Sequence, residues 1–141
     1  MKFKIFSITF VIFFLSVGLL AETPVQNLKS KNQSNQKERG EMLDLLRAKL
    51  KNEFKLEVQF VVNHFKVSGD YAWFKGDVKR LDGKKIELSE EEGYDCCHVE
   101  SLFQKQAGKW TIVEANAFSS DVWWEGIGKR YNNANPAVFK E

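Results

Sequence analysis

The sequence has few residues of the kinds that most often bind metals or act as nucleophiles. It has two histidines and two cysteines, and the cysteines are adjacent at Cys96 and Cys97. It lacks a glycine-rich phosphate-binding loop, the Gly-x-Ser-x-Gly turn that presents a catalytic serine, and the usual cysteine and histidine spacings of zinc sites. Without such a motif around it, a single serine, histidine or aspartate in this chain does not indicate catalysis.

An excess of charge of one sign is also missing. Once Lys2 and Lys4 are set aside, residues 22–141 carry 19 basic and 19 acidic side chains, and the two kinds alternate along the chain. Strong binding to nucleic acid needs a concentrated basic surface. We therefore expect no nucleic-acid partner.

The first 21 residues have the order of a secretory signal. Lys2 and Lys4 precede an apolar run over residues 5–20, and the small residue Ala21 follows. The run is shorter than the roughly 20 apolar residues of a spanning helix. We expect cleavage near Ala21, or after Gly18, with export to the periplasm or the extracellular medium and no stable membrane insertion afterwards. A retained N-terminal anchor is the alternative.

Residues 22–141 have the length of one domain with one modest core. Residues 22–34 are mostly polar and cannot bury enough surface to offset their ordering entropy, so they are predicted to be a flexible tether. The single folded domain is predicted to span residues 35–141. It begins with an amphipathic helix that starts at a capping box of Asn35 and Glu38 and ends near Glu53. The apolar positions of this helix are Met42, Leu43, Leu46 and Leu50.

After the helix, the apolar period changes from 3.6 to 2. Alternation over residues 56–65 predicts a first strand, in which His64 shares a face with Val62 and the apolar residues before it. Turn residues then separate three further strands at 71–80, 95–104 and 110–118, and a short C-terminal helical segment follows. Such an order predicts an α+β fold in which the N-terminal helix packs on a curved four-stranded antiparallel sheet.

Five stretches carry a resemblance to a known group of folds. They are Arg47 in the helix, residues 60–62 in the first strand, 69–74 and 108–110 at two turns, and 120–123 near the end. Through them the chain resembles the cystatin-like and nuclear transport factor 2-like folds, and more narrowly small exported bacterial proteins of that group. The resemblance covers most of the mature chain. It implies a cystatin-like packing of helix and sheet, and it transfers no catalytic residue.

The sequence Cys96-Cys97-His98, with His64, is the most plausible metal-binding set. In a strand, however, Cys96 and Cys97 point to opposite faces, so the set does not close around one ion. A bond between neighbouring cysteines would be strained, because a trans peptide holds their Cα atoms about 3.8 Å apart. We expect buried or half-buried thiols without chemistry, no metal and no cofactor. Redox use or an intermolecular disulfide is the alternative.

Aromatic and polar side chains supply the candidate binding residues. A surface of tryptophans would bind a ligand if it were exposed, and the alternative is that these rings cover the core. Asp121 would pair with Arg47 if the arginine faced the sheet, and otherwise the two are separate surface charges. The candidate binding residues are Trp73, His64, Tyr94, Asp121, Trp123 and Trp124.

The preferred function is that of an exported, non-catalytic domain that binds a small apolar ligand or a protein partner. The alternative, which the resemblance implies, is an enzyme of the isomerase or dehydratase type that uses His64 and an acid such as Asp95 or Asp121 in the concavity of the sheet. That alternative requires the histidine and the acid to lie within hydrogen-bond reach inside a pocket. A third possibility is an inhibitor or assembly module that acts through a sheet edge, and a homodimer is compatible with all three.

Overall fold

The structure is a computed structural model that describes residues 22–141. The predicted signal peptide, residues 1–21, lies outside the described residues. None of the helices in the described part of the chain is both long and apolar enough to cross a bilayer.

Five strands form one antiparallel sheet in the order β1-β2-β3-β4-β5. The four-stranded sheet predicted from the sequence, described there as cystatin-like, is therefore wrong. In chain order, the elements are β1 (Gln26–Asn27), α1 (Gln36–Phe54), β2 (Val58–Ser68), β3 (Tyr71–Arg80), a 3-10 turn (Glu90–Glu92), β4 (Tyr94–Gln106), β5 (Lys109–Ser119), α2 (Ile127–Arg130) and a second 3-10 turn (Pro136–Val138).

The additional strand comes from the segment predicted to be a flexible tether. Gln26 and Asn27 pair with the end of β2. Leu28, the next residue, has no exposed surface and belongs to the main core. Its N–H donates to the Phe65 carbonyl at 2.7 Å, and its own carbonyl accepts from Arg39 Nε at 2.8 Å. The mostly polar segment is thus held by one buried leucine together with its backbone bonds to β2 and α1.

Helix α1 covers the first face of the sheet. The four apolar residues that recur at helical spacing, Met42, Leu43, Leu46 and Leu50, are all buried against this face. The predicted capping box does not form. Asn35 makes no side-chain cap, and its amide instead bonds Ser30 and Asn32 in the preceding loop.

Glu38, the other predicted member of the box, is taken by tertiary partners. Its Oε1 atom accepts from Lys105 Nζ at 2.8 Å and from Trp110 Nε1 at 3.2 Å. These contacts join the start of α1 to β4 and β5. A charged bond to a lysine outcompetes the local bond to the helix start.

The alternation of β2 is interrupted at Asn63. Val62 pairs with Gly76 and His64 pairs with Lys75, so Asn63 has no partner in the register and forms a β-bulge. Beyond the bulge, Phe65 faces the main core, as Val62 does before it. The prediction that His64 shares a face with Val62 is wrong, because the extra residue moves His64 to the second face.

The C-terminal segment covers much of that second face. Trp73 of β3 and Leu102 of β4 are buried there, together with Ile127 of α2, in a second apolar cluster. Trp123 and Phe139 pack around them from the segment after β5. The sheet is thus the middle of three layers, with α1 on one side and residues 122–139 on the other.

Replacement of Leu28 by alanine tests whether residues 26–28 belong to the fold. Because Leu28 is fully buried, Leu28→Ala is expected to lower the free energy of unfolding by about 2–5 kcal/mol. Val25, three residues earlier and 36% exposed, supplies a matched control, and Val25→Ala should change it by less than about 0.5 kcal/mol. Urea unfolding of residues 22–141 measures both values. Equal, small effects would mean that the segment is a tether.

Candidate functional site

An open groove of about 620 Å³ lies on the second face of the sheet, beside the layer formed by the C-terminal segment. Nine of its twelve lining residues have charged or polar side chains, and the indole ring of Trp124 adds an apolar wall. We call this feature the groove. Its lining includes His64, His98, Lys29, Lys66, Lys75, Asn63, Glu100, Glu141 and Trp124.

Three neighbouring strands carry a row of ionisable residues into the groove. His64 of β2 pairs with Lys75 of β3, and Lys75 pairs in turn with Glu100 of β4. Residues paired in this way lie on the same face of a sheet. The row depends on the bulge at Asn63, because an unbroken alternation would turn His64 toward α1.

Glu100 lies at the bottom of the groove and is only 3% exposed. Its nearest polar partner is His98, two residues earlier on β4, whose Nδ1 atom lies 3.0 Å from Oε1 and 3.2 Å from Oε2. Burial raises the pKa of Glu100 above its usual 4.5, and His98 acts in the opposite direction. The indole N–H of Trp123 lies near this carboxylate without forming a hydrogen bond.

His64 is also buried, at 6% exposed, and its partner is a backbone group. Its Nε2 atom lies 2.7 Å from the carbonyl oxygen of Val138. Since a carbonyl only accepts, Nε2 carries the proton in this bond and Nδ1 is the unprotonated nitrogen of the neutral ring. Burial lowers the pKa of His64 below its usual 6.5, and the bond to Val138 partly opposes the shift.

Lys75 and Trp124 form one side of the groove. The ammonium of Lys75 lies 5.5 Å from the centroid of the Trp124 ring, within cation–π distance. The same ammonium forms an ion pair with the carboxylate of Glu141. Trp124 also packs edge-on against His98, with 5.9 Å between ring centroids. The indole thereby contacts both the lysine and the histidine–glutamate pair.

Two of the six residues predicted to bind, His64 and Trp124, line the groove. Trp73 is 2% exposed, and Trp123 packs on it in the second apolar cluster, so these two rings cover the core. Tyr94 packs against Phe54, at the end of α1. The remaining residue, Asp121, is exposed.

The predicted pair of Arg47 and Asp121 does not form. Arg47 bonds Asp44 one helical turn earlier, at 2.6 Å, and lies over the ring of Phe60. The backbone N–H of Asp121 donates to Ser119 Oγ at 3.2 Å. The two charges are separate, which is the alternative that the sequence left open.

Cys96 and Cys97 are bonded to each other through their sulfur atoms. The expectation of unbonded thiols is therefore not met. The register between β4 and β5 shifts between Tyr94 and Val99, so both cysteines lie in an irregular stretch of β4. Within residues 22–141, no three His, Cys, Asp or Glu side chains converge closely enough to hold a metal ion.

Sequence reasoning missed the histidine–glutamate pair and both members of the Lys75–Glu141 ion pair. The sequence did contain one signal for the His98–Glu100 pair. Residues two apart in a strand share a face, and His98 and Glu100 have that spacing. No local signal could have joined Lys75 to Glu141, which is 66 residues away along the chain.

Comparisons with protein-family models, with curated proteins and with solved structures found no match to this chain. The resemblance to cystatin-like and nuclear transport factor 2-like proteins therefore stays a prediction. The residues that line the groove are assigned from geometry alone.

The pH dependence of stability tests the buried, neutral state of His64. Because the folded chain holds the His64 proton less tightly than the unfolded chain does, this residue should make the protein less stable as the pH falls below 6.5. His64→Gln removes the titration and keeps an N–H that can reach the Val138 carbonyl. We expect the wild-type protein to lose stability relative to this variant between pH 7.5 and pH 5.

Urea unfolding at several pH values gives this difference. Glu100, whose raised pKa acts in the opposite direction, is present in both proteins and cancels in the comparison. A difference that stays constant, or that favours the wild-type protein at low pH, would contradict the assignment.

Proposed function

We propose that the protein is an exported binding domain that holds a small ligand in the groove. The predicted secretory signal supports export. The observation that carries the binding role is the position of Glu100, an almost fully buried carboxylate at the bottom of an open groove. Burial of an ionisable group costs free energy, and such groups concentrate at functional sites.

The lining of the groove favours a ligand with both apolar and polar parts over the purely apolar ligand predicted from the sequence. Lysine, histidine, asparagine and glutamate side chains surround the space, and Trp124 supplies one flat apolar contact. Sites for small molecules commonly combine such an aromatic surface with a few polar groups that fix orientation. A ligand with a ring and one or two polar substituents matches both features.

Catalysis is the second candidate function, and a specific contact favours it. His98 and Glu100 lie within hydrogen-bond reach of each other beside the groove. Burial raises the pKa of Glu100 toward neutral pH. Such a pair can accept and return a proton. His64, the histidine named for this role from the sequence, bonds the Val138 carbonyl and forms no hydrogen bond with an acidic side chain of residues 22–141.

A fragment screen by NMR tests the binding role. The indole N–H signals of the four tryptophans report on different parts of the molecule, and only Trp124 lines the groove. We expect binding fragments to shift the Trp124 signal. Trp110, whose Nε1 atom donates to Glu38 on the α1 side of the sheet, serves as the internal control and should not move. Fragments that shift Trp110 alone, or no fragment that shifts Trp124, would contradict the proposal.

The same fragments separate binding from catalysis. For a binding domain, the spectrum of a bound fragment should stay unchanged over hours with the wild-type protein. For an enzyme that uses the His98–Glu100 pair, product signals should grow, and Glu100→Gln should abolish them while the fragment still shifts Trp124. Conversion that survives this substitution would exclude the pair as the catalytic group.

A further inference from the structure

The ion pair between Lys75 and Glu141 occupies the side of the groove. Lys75 projects from the middle of the sheet, on β3, whereas Glu141 arrives from the C-terminal segment after the second 3-10 turn. Both residues line the groove, and the Lys75 ammonium lies over Trp124. The Glu141 carboxylate thus occupies the position beside Lys75 that an anionic group of a ligand stacked on Trp124 would take.

Lys75 takes this carboxylate in preference to the one beside it in the sheet. Glu100 is its direct partner in the β-ladder, yet the two do not form an ion pair, because Glu100 bonds His98 instead. Among residues 22–141, Glu141 is the one carboxylate within ion-pair distance of Lys75. Removal of Glu141 would leave this ammonium free to bind another anion.

The contact is easily displaced. The Glu141 side chain is 68% exposed and that of Lys75 is 27% exposed. Exposed ion pairs contribute little to stability and are screened by salt. A dissolved carboxylate that also contacts Trp124 would therefore compete well against Glu141.

The surrounding charge favours the same kind of ligand. Lys29 and Lys66 line the groove in addition to Lys75, whereas Glu100 is the one acidic side chain left in the lining when Glu141 is displaced. His98 contacts that carboxylate. The groove without Glu141 is thus a concave surface with an excess of cationic groups, which concentrates anions.

We propose that the ligand of the groove is a small carboxylate that replaces Glu141 on Lys75, so that Glu141 acts as a tethered competitor. The inference rests on the proposed function and adds the chemical class of the ligand to it. Benzoate has the required carboxylate and a ring for Trp124. Benzamide has the same ring and size without the charge.

Titration of both probes tests the inference, with the Trp124 indole signal as the readout. We expect saturable binding of benzoate and at least tenfold weaker binding of benzamide. Glu141→Gln should strengthen benzoate binding by about two- to fivefold, the range that corresponds to loss of one exposed ion pair. Lys75→Met, which keeps an unbranched apolar stem over Trp124, should abolish the preference for benzoate.

Glu57→Gln is the control variant. It breaks the exposed ion pair of Glu57 with Lys51 elsewhere on the molecule and should leave the affinity for benzoate unchanged.

The outcomes distinguish failure of the carboxylate assignment from failure of the proposed ligand-binding role of the groove. Equal affinity for benzoate and benzamide, or unchanged affinity in Glu141→Gln, would overturn the carboxylate assignment and leave the groove as a binding site. A Trp124 signal that moves with neither probe would also overturn it, and the fragment screen then decides separately whether the groove binds any ligand. Dispersed spectra of each variant confirm folding, and Glu141→Gln, at an exposed position, provides the test if Lys75→Met fails to fold.

Discussion

The first face of the five-stranded sheet is apolar and the second has an apolar centre, and the fold depends on covering both. Helix α1 covers the first face with its row of leucines and Met42. The second face has Trp73 and Leu102 at its centre, and residues 122–139 pack over them. Without that second layer, the two side chains would be exposed to water, at a cost of about 1.5–3 kcal/mol for each fully buried apolar side chain.

The groove exists because this second layer is incomplete. Trp124 and Glu141, both from the segment after β5, line the groove, and the polar part of the second face within it has no apolar layer over it. The residues in this opening could not have been covered by an apolar layer at low cost, since they include Lys75 and the carboxylate of Glu100. The same segment that completes the core therefore also shapes the site, which couples the stability of the C-terminal layer to the form of the groove.

The buried carboxylate is the feature of the groove that packing alone does not explain. An effective penalty of several kcal/mol accompanies burial of an ion, and a hydrogen-bonded partner offsets only part of it. His98 provides that partner for Glu100 at 3.0 Å. On β2, the bulge at Asn63 adds His64 to the same face, beside Lys75. A β-bulge and a buried carboxylate thus lie together in the lining of the groove.

The sequence was informative wherever regular periodicity decides the structure, and it failed where one contact overrides the pattern. The spacing of Met42, Leu43, Leu46 and Leu50 predicted a buried helical face, and these residues are buried. The strand β1 was missed because its ordering depends on Leu28 and on partners in β2 and α1 that lie far along the chain.

Failures near the site have the same origin. His64 was assigned to the wrong face because a one-residue bulge reverses every side chain after it, and no local signal marks Asn63 as the bulge. The tryptophans showed that aromatic bulk was present, but only the packing of the C-terminal segment decides that Trp123 covers the core and Trp124 lines the groove.

The most direct test of this account is the protonation of Glu100 in the folded protein. A titration followed by the carboxyl carbon-13 signal of Glu100, assigned with the Glu100→Gln variant, measures its pKa without reference to any ligand. The account predicts a midpoint above the usual 4.5, because the carboxyl lies buried beneath the groove. A midpoint at or below 4.5 would contradict the account, because it would mean that burial of Glu100 does not outweigh the attraction of His98 and Lys75 for the charged carboxylate.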